Sequence, residues 1–331
     1  MEKVLIVGGF FDSVKRDLSE HFDVTAVAGP AEAQALDDAT LAGFAAMATF
    51  GWGPADMLDR MGGLEVLSSF GVGYDGIDAR HAAARGICVT HTPDVLNDDV
   101  ANLAVALTLM AQRRLVQQDA YVRAGRWKSE GNYPLQTSIR GKTVGIVGLG
   151  RIGKAIAHKL SVFGCDVAYH GRRRQEDVDL AYYGDLVEMA RDADVLIVIT
   201  PGGPATHHLV DRKVIDALGP DGCLVNVARG SVVDEQALVE ALRDGRLGSA
   251  GLDVFDEEPN VPDALLAMEN VTLTPHTASA TRETRQAMAE LVVGNVVAFL
   301  KDGEAKTPVP ECADLAQRDG GQRDGGQRNK S

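Results

Sequence analysis

The segment Thr143-Val144-Gly145-Ile146-Val147-Gly148-Leu149-Gly150-Arg151-Ile152-Gly153 reads as a short apolar strand running through a glycine turn into a helix. Glycine turns of this kind serve many ends when they stand alone. Between a strand at Thr143–Val147 and a helix at Ile152–Leu160, each glycine acquires a task. Gly148 permits the tight turn, Gly150 lets backbone approach a pyrophosphate, and Gly153 allows the helix to pack closely on the strand. The first backbone N–H groups of the helix, Arg151 and Ile152 among them, then face an anion. The stretch predicts a dinucleotide site in an α/β fold.

Outward from this segment, apolar runs bounded by glycine alternate with longer amphipathic stretches, as parallel strands and crossover helices do. Before it, strands are expected at Val4–Val7, Val24–Val27, Ala45–Thr49, Val66–Ser69 and Cys88–Thr90, with helices such as Ser13–His21 and Ala55–Met61. After it, strands are expected at Asp166–Tyr169, Val195–Ile199, Cys223–Val227, Ser249–Leu252 and Val271–Thr274, with helices including Asp234–Asp244. The fold class is therefore α/β, with two doubly wound parallel-sheet domains, Rossmann-like and flavodoxin-like, and an active-site cleft expected between them. The expected boundaries are a substrate-binding domain at 1–97 completed by 284–310, a Rossmann domain at 98–283, and a tail at 311–331. A helix at Glu283–Leu300 returns the chain to the first domain. The tail repeats Arg-Asp-Gly-Gly-Gln at Arg318–Gln322 and Arg323–Gln327 and is expected to be disordered, because so polar a segment cannot offset its ordering entropy.

The 331 residues carry 33 basic and 47 acidic side chains, a formal charge of −14 that disfavours nucleic acid and anionic membranes as partners. No apolar span of about 18 residues is present, and the start Met1-Glu2-Lys3 leads into too short an apolar run for a secretory signal. Cys88, Cys165, Cys223 and Cys312 lie far apart without a CxxC pair, which fits reduced thiols better than disulfides or a zinc site. A cytoplasmic protein without a metal is expected.

Cofactor choice is read one strand beyond the glycine loop. There an NAD site would place an acidic residue for the ribose 2′-hydroxyl. This chain has His170-Gly171-Arg172-Arg173-Arg174 instead. Arg172 and Arg173 can bind a 2′-phosphate through charge-assisted forks, so NADP(H) is favoured and 98–283 is expected to be NADP-binding. The alternative is a solvated turn in which Glu176 or Asp177 neutralises the arginines. Thr200, just past the Val195–Ile199 strand, is counted among the cofactor contacts.

Three further strands end in polar segments at the edge where doubly wound sheets bind ligands. They are Asn226-Val227-Ala228-Arg229, Asp253-Val254-Phe255-Asp256-Glu257-Glu258-Pro259 and Thr274-Pro275-His276-Thr277. A 2-oxo acid needs a fixed cation for its carboxylate and a proton donor at the carbonyl oxygen as hydride reaches C2. Arg229 suits the first task. His276 suits the second, with Glu258 favouring its imidazolium and orienting its ring.

Together with Gly71-Val72-Gly73-Tyr74-Asp75-Gly76-Ile77-Asp78, Val233-Asp234-Glu235 and Leu252-Asp253-Val254-Phe255, these segments resemble the D-isomer-specific 2-hydroxyacid dehydrogenase family from about Val66 to Pro310. The resemblance implies the Arg229, Glu258, His276 set and adds substrate-carboxylate binding by the Val72 and Gly73 amides. It also implies a contact from Asp253 to the nicotinamide carboxamide, and a homodimer formed through Asp98–Tyr133. Arginines at the usual acidic position resemble the NADPH-using glyoxylate/hydroxypyruvate reductase branch. The expected function is NADPH-dependent reduction of such a small 2-oxo acid to the D-2-hydroxy acid. One alternative is an arylpyruvate reductase, since Phe50-Gly51-Trp52-Gly53 and Tyr74 could line a larger pocket. The other is a dinucleotide-sensing, corepressor-like binding protein.

Overall fold

Val4–Val7, Phe44–Thr49 and Val66–Ser69 are mostly apolar and nearly free of solvent, as parallel strands sandwiched between helices must be. The computed structural model describes residues 1–10 and 12–317. Its first unit comprises Met1–Val95 and the chain from Arg285 onward. The strands here are β1 (Lys3–Val7), β2 (Asp23–Val27), β3 (Phe44–Thr49), β4 (Trp52–Gly53), β5 (Val66–Ser69), β6 (Gly76–Ile77) and β7 (Cys88–Thr90). Five of them form one sheet in the order β2-β1-β3-β5-β7, and β4 pairs with β6 in a small second one. All these pairings are parallel.

The second unit, Leu96–Thr284, holds β8 (Thr143–Val147), β9 (Asp166–His170), β10 (Ala181–Tyr183), β11 (Val195–Val198), β12 (Cys223–Asn226), β13 (Ser249–Leu252) and β14 (Val271–Leu273). They form one parallel sheet in the order β10-β9-β8-β11-β12-β13-β14. The order reverses at β8, so the chain leaves toward β9 on one side and toward β11 on the other. That reversal puts the carboxyl end of β8 at the switch point, where doubly wound sheets open a crevice. One face of the sheet rests on a core that includes Val147, Met189, Leu196, Val198, Val214, Leu224, Leu238 and Leu252.

Helix Arg282–Asp302 spans the boundary between the two units in sequence. The segment Asp98–Tyr133 forms three helices, Asn97–Arg113, Leu115–Arg123 and Arg126–Glu130. Among the described residues no helix is long and apolar enough to cross a membrane.

One expectation needs correction. Order does not stop at Pro310: the residues Pro310–Leu315 form a 3-10 turn whose Cys312 is fully buried. Its thiol accepts the Val89 N–H at 3.3 Å, and Val309 donates to the Val89 carbonyl at 2.9 Å, so this polar segment is docked on β7 by hydrogen bonds. The repeated Arg-Asp-Gly-Gly-Gln lies outside the described residues.

Candidate functional site

The glycine loop has the stereochemistry its spacing implies. Gly148 sits at φ +102°, where other residues are strained, and its amide donates to the His170 carbonyl at 2.9 Å. A Cβ on Gly153 would lie 2.2 Å from the Gly148 carbonyl oxygen, whereas one on Gly150 would meet open space. Helix Arg151–Val162 thus packs tightly at Gly153 and leaves the backbone bare at Gly150, with no side chain capping the helix. The open start is an anion site by its backbone dipoles alone.

This contrast predicts opposite phenotypes. Gly153→Val should lower Tm by roughly 5–10 °C, since overpacking against backbone costs about 1–3 kcal/mol or more. Gly150→Val should leave Tm in place while weakening NADPH binding more than about tenfold, measured by protein-fluorescence titration. Equal effects of the two on Tm would contradict the geometry.

Arg172, Arg173 and Arg174 are exposed just beyond β9. Asp177, the candidate acid to neutralise them, instead binds Lys154 at 2.9 Å. Among the described residues no carboxylate pairs with Arg172 or Arg173. The loop carrying them is held by Gln175, whose backbone N–H donates to the Tyr169 hydroxyl and whose side-chain amide donates to the Leu149 carbonyl, both at 2.7 Å. Sequence reading missed Gln175, because nothing in its spacing announces a bridge to the glycine loop. His170 is turned toward the Tyr183 carbonyl at 3.0 Å.

Thr200 follows β11, and its methyl group would be 2.9 Å from a Cβ on Gly148. Its hydroxyl is buried without a hydrogen-bond partner, a cost of about 1–3 kcal/mol that a ligand group could relieve. The bare Gly150 backbone, the uncapped helix, the orphaned Thr200 hydroxyl and the exposed arginines all fit a phosphorylated dinucleotide.

Arg229, Glu258 and His276 all lie in the second unit, just beyond β12, β13 and β14. Asn226 shapes the first turn, accepting the Ala228 N–H and donating to the Arg229 carbonyl, both at 3.0 Å. A Cβ on Gly230 would overlap the Phe255 backbone at 1.9 Å, so only glycine lets the Arg229 turn abut the segment leading to Glu258. Glu258 accepts the Phe255 N–H at 3.0 Å through Oε1, and its Oε2 lies 2.7 Å from His276 Nδ1. Burial pushes the Glu258 pKa up, but the His276 and Phe255 hydrogen bonds and the charges of His276 and Arg229 outweigh it and hold the carboxyl below its ordinary value. Glu258 is therefore anionic at neutral pH.

His276 occupies left-handed backbone, φ +51°, a conformation costing on the order of 1–2 kcal/mol for a residue with a Cβ. Asp253 holds it there. Its fully buried carboxylate accepts from the Thr274 hydroxyl at 2.6 Å, Thr277 N–H at 2.8 Å and Ala278 N–H at 2.9 Å, while its carbonyl accepts the His276 N–H at 2.8 Å. Burying a carboxylate costs several kcal/mol, and hydrogen bonds to a charge return about 1.5–3 kcal/mol each. Anchoring the histidine loop is a task of Asp253 that the sequence reading did not contain.

Val72 and Gly73 are in the first unit, in the loop between β5 and β6, partly exposed. In the same unit Phe10, Phe50 and Phe70, each following a strand of the main sheet, form a ring cluster with centroids 4.5–5.5 Å apart.

The family model "D-isomer specific 2-hydroxyacid dehydrogenase, NAD binding domain" matches residues 105–278. The chain belongs to the D-isomer specific 2-hydroxyacid dehydrogenase family. As a member it is an NAD(P)-dependent 2-hydroxyacid dehydrogenase by kinship, with the two-domain parallel-sheet fold of such enzymes. It is 50% identical over 255 residues to glyoxylate/hydroxypyruvate reductase A of Arabidopsis thaliana, covering 77% of this chain and 81% of that one. It is 49% identical, with the same coverage, to hydroxyphenylpyruvate reductase of Plectranthus scutellarioides. The crystal structure of NADPH-dependent glyoxylate/hydroxypyruvate reductase from Sinorhizobium meliloti, with NADP and malonate, superposes with TM-score 0.91. It shares 46% identity and covers 97% of this dehydrogenase and 99% of that chain.

Proposed function

We propose that this dehydrogenase reduces a small 2-oxo acid of the glyoxylate or hydroxypyruvate type to the D-2-hydroxy acid with NADPH. The observation that carries the reading is the Arg229, Glu258, His276 set at the ends of three adjacent strands, with Glu258 2.7 Å from the histidine ring. The reductases of Arabidopsis and Sinorhizobium support the substrate class by similarity.

Gly148, Gly150, Arg151, Ile152 and Gly153 would hold the pyrophosphate, Arg172 and Arg173 the 2′-phosphate, and Thr200 a further polar group of NADPH, while buried Asp253 would serve the nicotinamide end through the 274–278 loop it anchors. When bound, NADPH supplies the hydride that adds to C2 of the substrate. Arg229 takes the substrate carboxylate, which fixes the carbonyl's orientation. Within the first unit the Val72 and Gly73 amides are proposed as carboxylate donors. Glu258 engages Nδ1, so the imidazolium presents Nε2–H to the carbonyl oxygen. As negative charge develops there, His276 gives up that proton and the alcohol forms. In the reverse direction neutral His276 accepts the hydroxyl proton at the same nitrogen.

A second reading, an arylpyruvate reductase, draws support from the Phe10, Phe50, Phe70 cluster, where Phe50 is 44% exposed, and from the hydroxyphenylpyruvate reductase kinship. Consumption of NADPH with a panel of 2-oxo acids tests both.

The same proposal includes a homodimer formed through 98–133. On this segment Tyr133 packs edge-on against buried Tyr121 in a local core, but Trp127 is 61% exposed beside Val122. That apolar stripe supports a partner surface. All four cysteines are free and buried, which supports the reducing cytoplasm as the compartment.

A further inference from the structure

The loop Gly71–Tyr74 follows β5 and carries the two amides assigned to the substrate carboxylate. Three side chains of the first unit restrain it. The Thr92 hydroxyl accepts the Gly71 N–H at 3.0 Å, and the Thr92 N–H donates to the Gly71 carbonyl at 2.9 Å. His91 Nδ1 lies 3.0 Å from the Val72 carbonyl, and its ring meets Tyr74 edge-on at 5.7 Å. At the far side the Tyr74 hydroxyl donates to Glu311 Oε2 at 3.0 Å.

Glu311 belongs to the 3-10 turn Pro310–Leu315, part of the strap from Thr307 onward that closes the described chain. The strap is fastened to β7 along its length. Thr307 exchanges hydrogen bonds with His91 at 3.1 and 2.6 Å, Val309 donates to Val89 at 2.9 Å, and Cys312 accepts from Val89 at 3.3 Å. The same residue, His91, is thus gripped by the strap through its backbone and grips Val72 through its ring. Burial, followed by the hydrogen bond and charge of Glu311, pushes the Tyr74 phenol up to about 12. The phenol is therefore a hydrogen-bond donor at neutral pH.

We propose that Glu311 and Tyr74 are a positioning pair that fixes the Val72–Gly73 amides, so that the strap at the end of the ordered chain sets the enzyme's affinity for its 2-oxo acid. The proposal rests on the reading that these amides take the substrate carboxylate. Neither side chain touches the reacting atoms. Removing the contact leaves chemistry intact and loosens two carboxylate donors.

The test is steady-state kinetics of Tyr74→Phe, Glu311→Ala, their double variant and Glu311→Gln, with hydroxypyruvate and NADPH each varied. Tyr74→Phe and Glu311→Ala should each raise the hydroxypyruvate KM about 3- to 10-fold, with kcat, the NADPH KM and Tm close to wild type. The double variant should be no worse than either single one, because both remove the same bond. Glu311→Gln, whose amide oxygen still accepts, should restore most of the affinity. Unchanged hydroxypyruvate KM in both single variants, strictly additive losses, or a parallel rise in the NADPH KM would each overturn the pair. Tyr74→Phe keeps its ring against His91, so it decides the matter even where Glu311→Ala loosens the strap. A wild-type protein that consumes NADPH with no 2-oxo acid at all would instead overturn the functional reading beneath it.

Discussion

Replacing His276 with alanine is expected to lower kcat for 2-oxo acid reduction by about 10²–10⁴-fold while leaving NADPH affinity within a factor of about two. The loss follows from chemistry rather than folding. The side chain is 44% exposed, so its removal opens no core cavity, and the Asp253 clamp holds the 274–278 loop through backbone and threonine donors that the substitution does not touch. Alanine adopts left-handed backbone less readily than histidine, but the Asp253 hydrogen bonds that hold the loop do not involve the replaced side chain. Turnover within a few-fold of wild type would remove His276 from the proposed role. The partner acid fixes the pH window. Because the Glu258 pKa is lowered in the folded protein, its interaction with His276 is complete above the ordinary carboxylate value and is lost only as pH falls through the lowered one. Activity lost at mildly acidic pH, above that window, is not due to protonation of Glu258.

The double change Arg172→Ala with Arg173→Ala should raise the NADPH KM by about 10- to 100-fold and leave the NADH KM nearly unchanged. Hydrogen bonds to a charged phosphate contribute about 1.5–3 kcal/mol, and NADH has no 2′-phosphate to lose them. The arginines are poised for this role, since Asp177 is occupied by Lys154 and the loop is tied to the glycine turn through Gln175 and Leu149. A uniform loss of both cofactors would show that the change disrupts the loop rather than the phosphate site.

Much of this architecture was legible in the sequence where composition alone decides burial. The strands Val66–Ser69, Cys88–Thr90, Thr143–Val147 and Ser249–Leu252 have the bounds that their apolar runs suggest. A central parallel strand must be apolar on both faces. The edge strand Ala181–Tyr183 escaped, because a three-residue strand exposed at the sheet margin needs no apolar run. Helices Leu186–Asp192 and Arg212–Leu218 also went unread, although Asp185 and Asp211 cap them in the usual way, each accepting from two helix N–H groups. The order of residues 311–317 was hidden for a different reason. A single buried thiol and a few backbone bonds to β7 hold a segment whose composition is polar.

In the proposed site, Arg229, Glu258 and His276 could be picked out by residue type and position after strands. The supporting contacts did not. Asp253 binds partners 21–25 residues away, and Tyr74 binds one 237 residues away, so only the folded chain joins them.

The most direct test of the central claim is a side-by-side measurement of NADPH and NADH consumption by the purified protein with glyoxylate, hydroxypyruvate and an arylpyruvate. The highest kcat/KM is expected with NADPH and glyoxylate or hydroxypyruvate, with formation of the D-2-hydroxy acid. No oxidation of NADPH with any of the three acids, or a clear preference for NADH, would contradict that claim.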